Sequence, residues 1–371
     1  MGKTPSRDNS NYWNGSNAWV SIADIKEKYI DTTKEGITDK AVNECGIYRV
    51  PQGTVIMSFK LTVGRAAIAK CDLFTNEAIM AFSPKQNGIL LPDYIYYYLK
   101  KYKWIGANKA VMGKTLNKKS ISENTFAYPP LPIQKQIVSE LDKVSEIIEK
   151  KKQQVKELDT LAQSIFYDMF GDPVENEKGW EVKKTKDFGE VKIGPFGSLL
   201  HKSDYISGGI PLVNPIHMRD GKIFVDNNFT ISESKAKELS SYLMQEGDFV
   251  FARRGEIGRC AIVRNCDNGC LCGTGSLFVR FSQMMDRLFL RYVVNSKSFV
   301  AELVDKAKGA TMLNINCGIV EELRIPNPPL SLQQAFAEKV EGIERQKELI
   351  NQSIKEAQLL FDSRMEYWFG E

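Results

Sequence analysis

The sequence of 371 residues predicts an α+β fold, with two similar domains separated by two long antiparallel helices in a coiled-coil-like arrangement. Three observations support this prediction: an internal repeat with pseudo-two-fold character, a helical pattern of fixed length that closes each repeat, and short apolar strands beside glycine turns. The composition, 43% hydrophobic and 26% charged, is that of a globular protein. The predicted segments are a domain over 1–127, a helix over 128–171, a domain over 172–327 and a helix over 328–371.

The repeat consists of short blocks that recur in the same order in both halves. Residues 63–68 (VGRAAI) match 257–262 (IGRCAI), and residues 128–134 (YPPLPIQ) match 327–333 (NPPLSLQ). The difference in residue number between matching blocks varies within the halves, but it is constant from the Pro-Pro pair to the end of each repeat. This pattern indicates two variable domains, each followed by a segment of fixed length.

The segments of fixed length carry a heptad pattern, with apolar residues at alternating steps of four and three. Each predicts a helix of roughly 55 Å that is stable only when its apolar stripe packs on a partner. Two unrelated helices, each packed on its own domain, remain the alternative. The predicted seam between the helices consists of Ile137, Leu141, Val144, Ile148, Val155, Leu158 and Ile165 in the first and Phe336, Val340, Ile343, Ile350, Ile354, Phe361 and Trp368 in the second.

Charge is distributed unevenly along the chain, although the net charge is only +4. Residues 1–127 carry a net charge of +7 and residues 172–327 carry +1, whereas the two helical segments carry −1 and −3. A basic domain suits a phosphate-rich ligand, and acidic helices suit protein partners or each other. Ordinary charge scatter remains an equally good account for residues 172–327.

Composition also limits the function. No run of about 18 uncharged apolar residues exists, so we expect no membrane span. Seven scattered cysteines suggest reduced thiols in a cytoplasmic protein. Two histidines leave little material for histidine catalysis or a metal site, so no cofactor and no metal are expected.

Several short motifs resemble known sites but lack a necessary part. The Gly113-Lys114-Thr115 sequence lacks the first glycine of a phosphate-binding loop. Cys266, Cys270 and Cys272 lack the paired spacing of a zinc site. Residues 327–330 (NPPL) resemble the NPP-aromatic motif of DNA amino-methyltransferases, but leucine replaces the aromatic residue that stacks on a flipped base. The simpler explanation is a Pro-Pro pair that marks the start of a helix.

Basic and polar residues lie beside glycine turns at matched places, as in 59–65 and 253–259. Glycine lets the backbone approach a ligand closely, and arginine binds phosphate or a guanine edge through two hydrogen bonds. Solvated arginines in β-turns are the alternative, and ion pairs are expected for Asp248 and Glu256 with Arg253 and Arg254. The candidate DNA-binding residues are Lys60, Thr62, Arg65, Lys109, Lys114, Ser198, Lys202, Asn214, Arg219, Arg253, Arg254, Arg259, Thr274 and Lys308.

Taken together, these motifs resemble the DNA specificity subunit of type I restriction–modification systems. The resemblance rests on 12–25 (YWNG followed by WVSIADI), 58–64 (SFKLTVG), 194–200 (GPFGSLL) and the PPL-x-x-Q sequence that opens both helices. It implies two target-recognition domains that each read one half of a split site in double-stranded DNA. It also implies helices that set the gap and dock two modification subunits, to which restriction/motor subunits attach. Such a subunit is not catalytic.

One departure from the family concerns the first domain. About 20 residues separate Gly171 from the Gly194 turn in the second domain, whereas the first domain begins near the equivalent turn at Gly2. We therefore expect its opening strand to be missing or supplied otherwise. Two other functions remain open: a DNA amino-methyltransferase that uses residues 327–330, and a structural rod that binds proteins and has no role in DNA recognition.

Overall fold

The computed structural model describes residues 1–370 except 87, 103, 105–107, 111–112, 117–120, 124, 283–284 and 308–313, and describes only the backbone of 108–110 and 113–115. The chain folds into two compact units. Unit 1 contains Met1–Gln153 and Asn351–Glu371, and unit 2 contains Gln154–Ile350. Two 40-residue helices, α3 (Leu131–Phe170) and α9 (Leu330–Phe369), contribute one half to each unit.

Among its described residues, the rest of unit 1 contains short strands and short helices. The helices include α1 (Asp39–Cys45) and α2 (Pro92–Lys101). The strands are β1 (Trp13–Val20), β2 (Tyr29–Ile30), β3 (Glu35–Ile37), β4 (Val55–Ser58), β5 (Lys60–Leu61), β6 (Ala66–Ala69), β7 (Phe74–Thr75), β8 (Ile79–Phe82), β9 (Asn108–Ala110) and β10 (Gly113–Thr115).

Unit 2 has a similar mixture of elements. Its short helices are α4 (Thr185–Phe188), α5 (Glu233–Glu238), α6 (Arg287–Val294), α7 (Lys297–Lys306) and α8 (Cys317–Glu321). Its strands are β11 (Val182–Lys184), β12 (Gly189–Ile193), β13 (Tyr205–Ile206), β14 (Ile210–Val213), β15 (Met218–Arg219), β16 (Lys222–Ile223), β17 (Thr230–Ile231), β18 (Phe249–Ala252), β19 (Cys260–Ile262), β20 (Leu271–Cys272), β21 (Ser276–Phe281) and β22 (Arg324–Pro326).

The strand pairing repeats between the units. Each unit contains a four-stranded sheet, with the order β2-β6-β4-β8 in unit 1 and β12-β21-β18-β19 in unit 2. In unit 1, β4 pairs antiparallel with its two neighbours β6 and β8. In unit 2, β18 pairs antiparallel with its two neighbours β19 and β21. A parallel pair, β1 with β7 and β14 with β20, also recurs. The internal repeat is therefore a repeat of structure as well as of sequence.

The two long helices run antiparallel within each unit. In unit 1 the start of α3 packs against the end of α9, where Glu140 accepts hydrogen bonds from Arg364 at 2.9 Å and Trp368 at 3.0 Å. In unit 2 the end of α3 packs against the start of α9, where the rings of Phe166 and Phe336 are 5.7 Å apart. The predicted α+β fold with two long helices is confirmed.

The predicted seam residues are all buried or partly buried, but they are not the only apolar contacts of the helices. Phe166 and Phe170 are almost fully buried and lie outside the predicted seam. They pack on Phe289 of α6, because the buried face of α3 contacts the core of unit 2 as well as α9. The helices thus pack on each other and on the domains, which the two sequence interpretations had treated as alternatives.

A buried glutamine fixes the start of each long helix. The side-chain amides of Gln134 and Gln333 donate to a proline carbonyl five residues earlier, at 2.8 Å in both repeats. Their side-chain oxygens accept the backbone N–H of Leu91 and of Asp286, both at 2.9 Å. The PPL-x-x-Q sequence therefore connects each long helix to the short helix α2 or α6. This agrees with the interpretation that residues 327–330 mark the start of a helix.

Candidate nucleic-acid interface

The turns that carry the candidate residues of unit 2 meet at one end of its four-stranded sheet. Strand register places Ile193 opposite Leu277, Ala252 opposite Ser276, and Phe251 opposite Cys260. The turns that follow β12 and β18 and those that precede β19 and β21 consequently lie side by side. We call this set of turns, with Asn214 beside them, the sheet-end cluster.

Hydrogen bonds hold the sheet-end cluster together. The backbone N–H of Arg253 donates to the carbonyl of Gly275 at 3.0 Å, and the N–H of Gly275 donates to Oδ1 of Asn214 at 3.2 Å. Arg259 donates from Nη1 to the carbonyl of Pro215 at 3.1 Å. The sequence-predicted residues Asn214, Arg253, Arg254, Arg259 and Thr274 are therefore brought together.

The two adjacent arginines have different environments. Arg253 is only 5% exposed, and its Nε donates to Oδ1 of Asn314 at 3.1 Å. Burial lowers the pKa of Arg253, and its Nη1 has no hydrogen-bond partner among the described residues. Arg254 is exposed at the surface of the same turn. Arg254 is thus positioned to contact a ligand directly, and Arg253 supports the turn from behind.

The ion pairs expected for these arginines form with other residues. Asp248 is buried and accepts hydrogen bonds from Arg280 at 2.6 and 3.1 Å, while Glu256 pairs with Arg259. Both carboxylates form ion pairs, but the predicted partners Arg253 and Arg254 were wrong, and Arg280 and Arg259 take their places. Arg280 lies on the strand beside Asp248, a neighbour that only the sheet register determines.

A further arginine that sequence reasoning missed lies next to the cluster. Arg219, Arg259 and Arg291 line an open cavity of about 590 Å³, together with the acidic residues Asp220 and Glu256. Three guanidinium groups around one cavity suit a phosphate. Arg291 lies one turn after Arg287 on α6, and that spacing of two basic residues was the available signal.

Unit 1 contains an equivalent turn over 58–65. The backbone N–H of Ser58 donates to the carbonyl of Arg65 at 2.8 Å, as Ala252 does to Arg259. Gly64 and Gly258 share φ values of 94° and 95°, in the left-handed region that favours glycine. Lys60, Thr62 and Arg65 lie on this turn, and the last two are exposed.

The other candidate residues are more dispersed. Ser198 and Lys202 are exposed in the loop that follows Gly194, whereas the exposed Arg219 lines the cavity next to the sheet-end cluster. Strands β9 and β10 contain Lys109 and Lys114, but the structure describes only their backbone, and β10 pairs with β5. Lys308 lies outside the described residues.

The cysteines of unit 2 are separate thiols. Cys270 and Cys272 are buried, and burial raises the pKa of Cys270 to about 11, which favours the neutral thiol. Cys266 is exposed. Within the described part of the chain, no three His, Cys, Asp or Glu side chains are arranged to hold a metal ion. Nor is any described helix both long and apolar enough to cross a bilayer.

Comparison with known proteins agrees with this geometry. Two curated relatives are specificity subunits of type I restriction enzymes: MjaIX of Methanocaldococcus jannaschii, and EcoR124I/EcoR124II of Escherichia coli. The first is 27% identical over 365 residues, 92% of this chain and 83% of the relative. The second is 26% identical over 155 residues, 38% of this chain and 37% of the relative.

Solved structures show the same fold. The S subunit of a type I restriction–modification system from M. genitalium aligns with 99% of this chain and 91% of its own, at a TM-score of 0.52 and 10% identity. A chain from a structural study of type I R-M complex assembly aligns with 99% of this chain and 94% of its own, at a TM-score of 0.61 and 16% identity.

The family model described as "Type I restriction modification DNA specificity domain" matches residues 1–158 and 177–359, one match for each repeat. The matched ranges include the PPL-x-x-Q start of both long helices and the turns at the sheet end of each unit. The chain therefore belongs to the type I restriction–modification DNA specificity family, and it is a specificity subunit rather than an enzyme.

Proposed function

We propose that each unit reads one half of a bipartite site in double-stranded DNA, and that the two long helices fix the spacing between the half-sites. The observation that carries this proposal is the recurrence, in both units, of a basic turn at the end of the four-stranded sheet. Each turn offers an exposed arginine, Arg65 or Arg254, and that of unit 1 also offers the partly exposed Lys60. Such side chains can contact phosphates and base edges from a rigid base of strands.

Lys60 and Arg254 are equivalent positions in the two units. The residue before each, Phe59 or Arg253, donates its backbone N–H to the carbonyl of Ala78 or Gly275, at 2.9 and 3.0 Å. Lys60 lies shortly after β4, and Arg254 lies shortly after β18. If each unit reads its own half-site, these two residues contact different halves of the target.

The test is to map methylated sites genome-wide in cells that carry Lys60→Ala or Arg254→Ala. Each variant is expected to relax sequence preference in one half-site, a different half for each variant. A lost two-hydrogen-bond base contact costs about 1–3 kcal/mol of discrimination. Binding of the assembled complex to duplexes altered in one half-site measures the same effect in vitro.

Arg324→Ala is the matched control. Arg324 is exposed on β22, and its strand pairs with β11, which leads to Gly189 at the opposite end of β12. We expect this variant to keep the parental specificity. Relaxation of the same half-site by both test variants would contradict one domain for each half-site. Unchanged binding and methylation by both would favour the structural rod.

We further propose that α3 and α9 dock two modification subunits, through which restriction/motor subunits join. Leu349, Leu359, Leu360 and Tyr367 of α9 are between 52% and 72% exposed. Large apolar side chains on a helix surface are typical of protein contacts. Leu359→Glu with Leu360→Glu should reduce co-purification with modification subunits, while Lys355→Glu on the same helix serves as the control. Equal co-purification would remove this face from the docking surface.

A further inference from the structure

The arginines around the cavity next to the sheet-end cluster differ in whether they have partners. Arg259 is held on two sides, because it donates to the carbonyl of Pro215 at 3.1 Å and pairs with Glu256. The guanidinium groups of Arg219 and Arg291 line the same cavity of about 590 Å³, and they form no hydrogen bond or ion pair with a described residue. Two cationic groups of the cavity are therefore available to an anion.

A tight hairpin places these two arginines at the same cavity. Strands β15 and β16 pair antiparallel and are joined by Asp220 and Gly221, with φ values of 50° and 71°. A two-residue turn of this kind needs left-handed backbone at both positions, which Asp-Gly readily adopts. Arg219 ends β15, and Arg291 of α6 lies against the turn, since a Cβ on Gly221 would be only 2.6 Å from Cζ of Arg291. The glycine thus makes room for the guanidinium group as well as for the turn.

The hairpin is itself attached to the rest of unit 2. The carbonyl of Gly221 accepts the backbone N–H of Ile262 on β19 at 3.1 Å. Nζ of Lys222 lies 2.7 Å from a carboxylate oxygen of Glu348 on α9. The backbone around the cavity is consequently fixed before a ligand arrives, and binding does not have to order it.

The chemistry of the cavity suits a phosphate group. Its three arginines exceed its two carboxylates, Asp220 and Glu256, by one positive charge. Guanidinium groups bind phosphate oxygens through two parallel hydrogen bonds. Through Arg259 and Pro215 the cavity adjoins the sheet-end cluster, so a duplex bound at that cluster brings its own phosphates within reach.

Unit 1 has no arginine at the equivalent place. The glutamines that start the long helices bind the backbone N–H of Leu91, just before α2, and of Asp286, just before α6. The fifth residue of each short helix is then Tyr96 in unit 1 and Arg291 in unit 2. Tyr96 is buried. The two-arginine arrangement therefore belongs to unit 2.

We propose that Arg219 and Arg291 bind one backbone phosphate of the DNA half-site that unit 2 reads. This inference rests on the proposed function and adds to it a contact that positions the duplex without reading its sequence. Phosphate contacts fix the register of a protein on DNA but carry no base information. Arg291 thus determines how tightly unit 2 holds its half-site, whereas Arg254 determines which bases it prefers.

The first test measures binding of the assembled complex to a duplex target over a range of salt concentrations. Arg291→Ala should bind about ten-fold weaker at about 0.15 M salt, because it loses a hydrogen bond between charged groups. The slope of log affinity against log salt should become shallower by about one, the value for one phosphate. The loss should be the same on targets altered in either half-site.

Two further variants separate this effect from a folding defect and from a general loss of charge. Arg219→Ala changes an exposed side chain and should reproduce the weaker binding and the shallower slope. Arg324→Ala removes the same charge from β22 and should behave like the parent. Binding and salt dependence equal to the parent in both Arg219→Ala and Arg291→Ala would overturn the phosphate site.

The second test locates the phosphate with duplexes that carry one neutral methylphosphonate at successive positions. The parent should lose affinity at a particular position in the half-site that Arg254→Ala relaxes, and Arg291→Ala should lose nothing more at that position. Inorganic phosphate is the competing ligand. If it raised the melting temperature of the DNA-free chain through Arg291, and no methylphosphonate position depended on Arg291, the site would bind free phosphate and the DNA assignment would be overturned.

Failure of this inference is distinguishable from failure of the proposed function. A parent complex without preference for a bipartite site would overturn both. A parent with that preference, together with an Arg291→Ala variant that shows the parental affinity, salt slope and methylphosphonate profile, would overturn the phosphate site alone.

Discussion

His217 lies directly behind the sheet-end cluster. Its Nδ1 accepts the backbone N–H of Asn214 at 3.1 Å, and its ring contacts Phe229 with centroids 5.2 Å apart. The side chain is 4% exposed, and Nε2 has no hydrogen-bond partner among the described atoms. Burial lowers the pKa of His217, so the neutral ring holds Asn214 in place.

Stability should therefore decrease as pH falls below about 6.5, the pKa of an unfolded histidine. The folded pKa is lower, so the stability present above 6.5 is lost as pH falls through the folded value. We expect the urea midpoint to fall less between pH 7.5 and 5.5 in His217→Gln than in the parent. The control is His201→Gln at the other, exposed histidine, which should behave like the parent. Identical pH dependence in all three proteins would contradict a buried neutral His217.

At the scale of elements, the long helices are stabilised by the faces that they bury. Leu141 is fully buried where α3 meets α9 in unit 1, whereas Leu161 on the same helix is 48% exposed. The buried glutamines add a polar connection at the start of each helix. A helix of 40 residues with a narrow apolar stripe depends on these contacts rather than on intrinsic propensity.

Leu141→Ala should lower the free energy of unfolding by about 2–5 kcal/mol, because it leaves a cavity in the packed face. Leu161→Ala should change it by less than about 0.5 kcal/mol, since its side chain is largely in solvent. Urea denaturation of the full chain measures both. Similar losses for the two variants would mean that the predicted seam does not determine helix stability.

At the scale of the whole molecule, the proposed spacing role of the helices can be tested by length. We expect one added heptad in both α3 and α9, placed after Gln153 and before Asn351, to preserve the seam pattern. Seven residues add about 10 Å, which is about three base pairs at 3.4 Å each. The spacer in the methylated site should grow accordingly. Methylation mapping that showed the original spacer would contradict the proposal that the two long helices fix the spacing between the half-sites.

A heptad added to α3 alone is the companion control. It should disturb the register of the two helices and reduce assembly, because the added residues have no partners on α9. Normal activity with an unchanged site would show that the pairing of the helices does not matter for spacing.

The two long helices and the repeat of the fold were predictable because heptad patterns and repeated sequence blocks indicate them locally. The predicted helices over 128–171 and 328–371 correspond to Leu131–Phe170 and Leu330–Phe369. The matched turns were also found, since a glycine with positive φ marks each one. Arg291, Phe166 and the Asp248–Arg280 pair could not be placed in the same way. Their neighbours come from strands and helices distant in sequence, and only the tertiary register brings them together.

The division of each long helix between the two units has a consequence for how the protein is made. Phe361 and Met365 are part of the apolar core of unit 1, although they follow all of unit 2 in the chain. Unit 2 can complete its own core as soon as residue 350 has left the ribosome. The domain that is translated first is therefore the one that finishes folding last, and a chain truncated before residue 351 lacks part of the core of unit 1 although it contains all of unit 2.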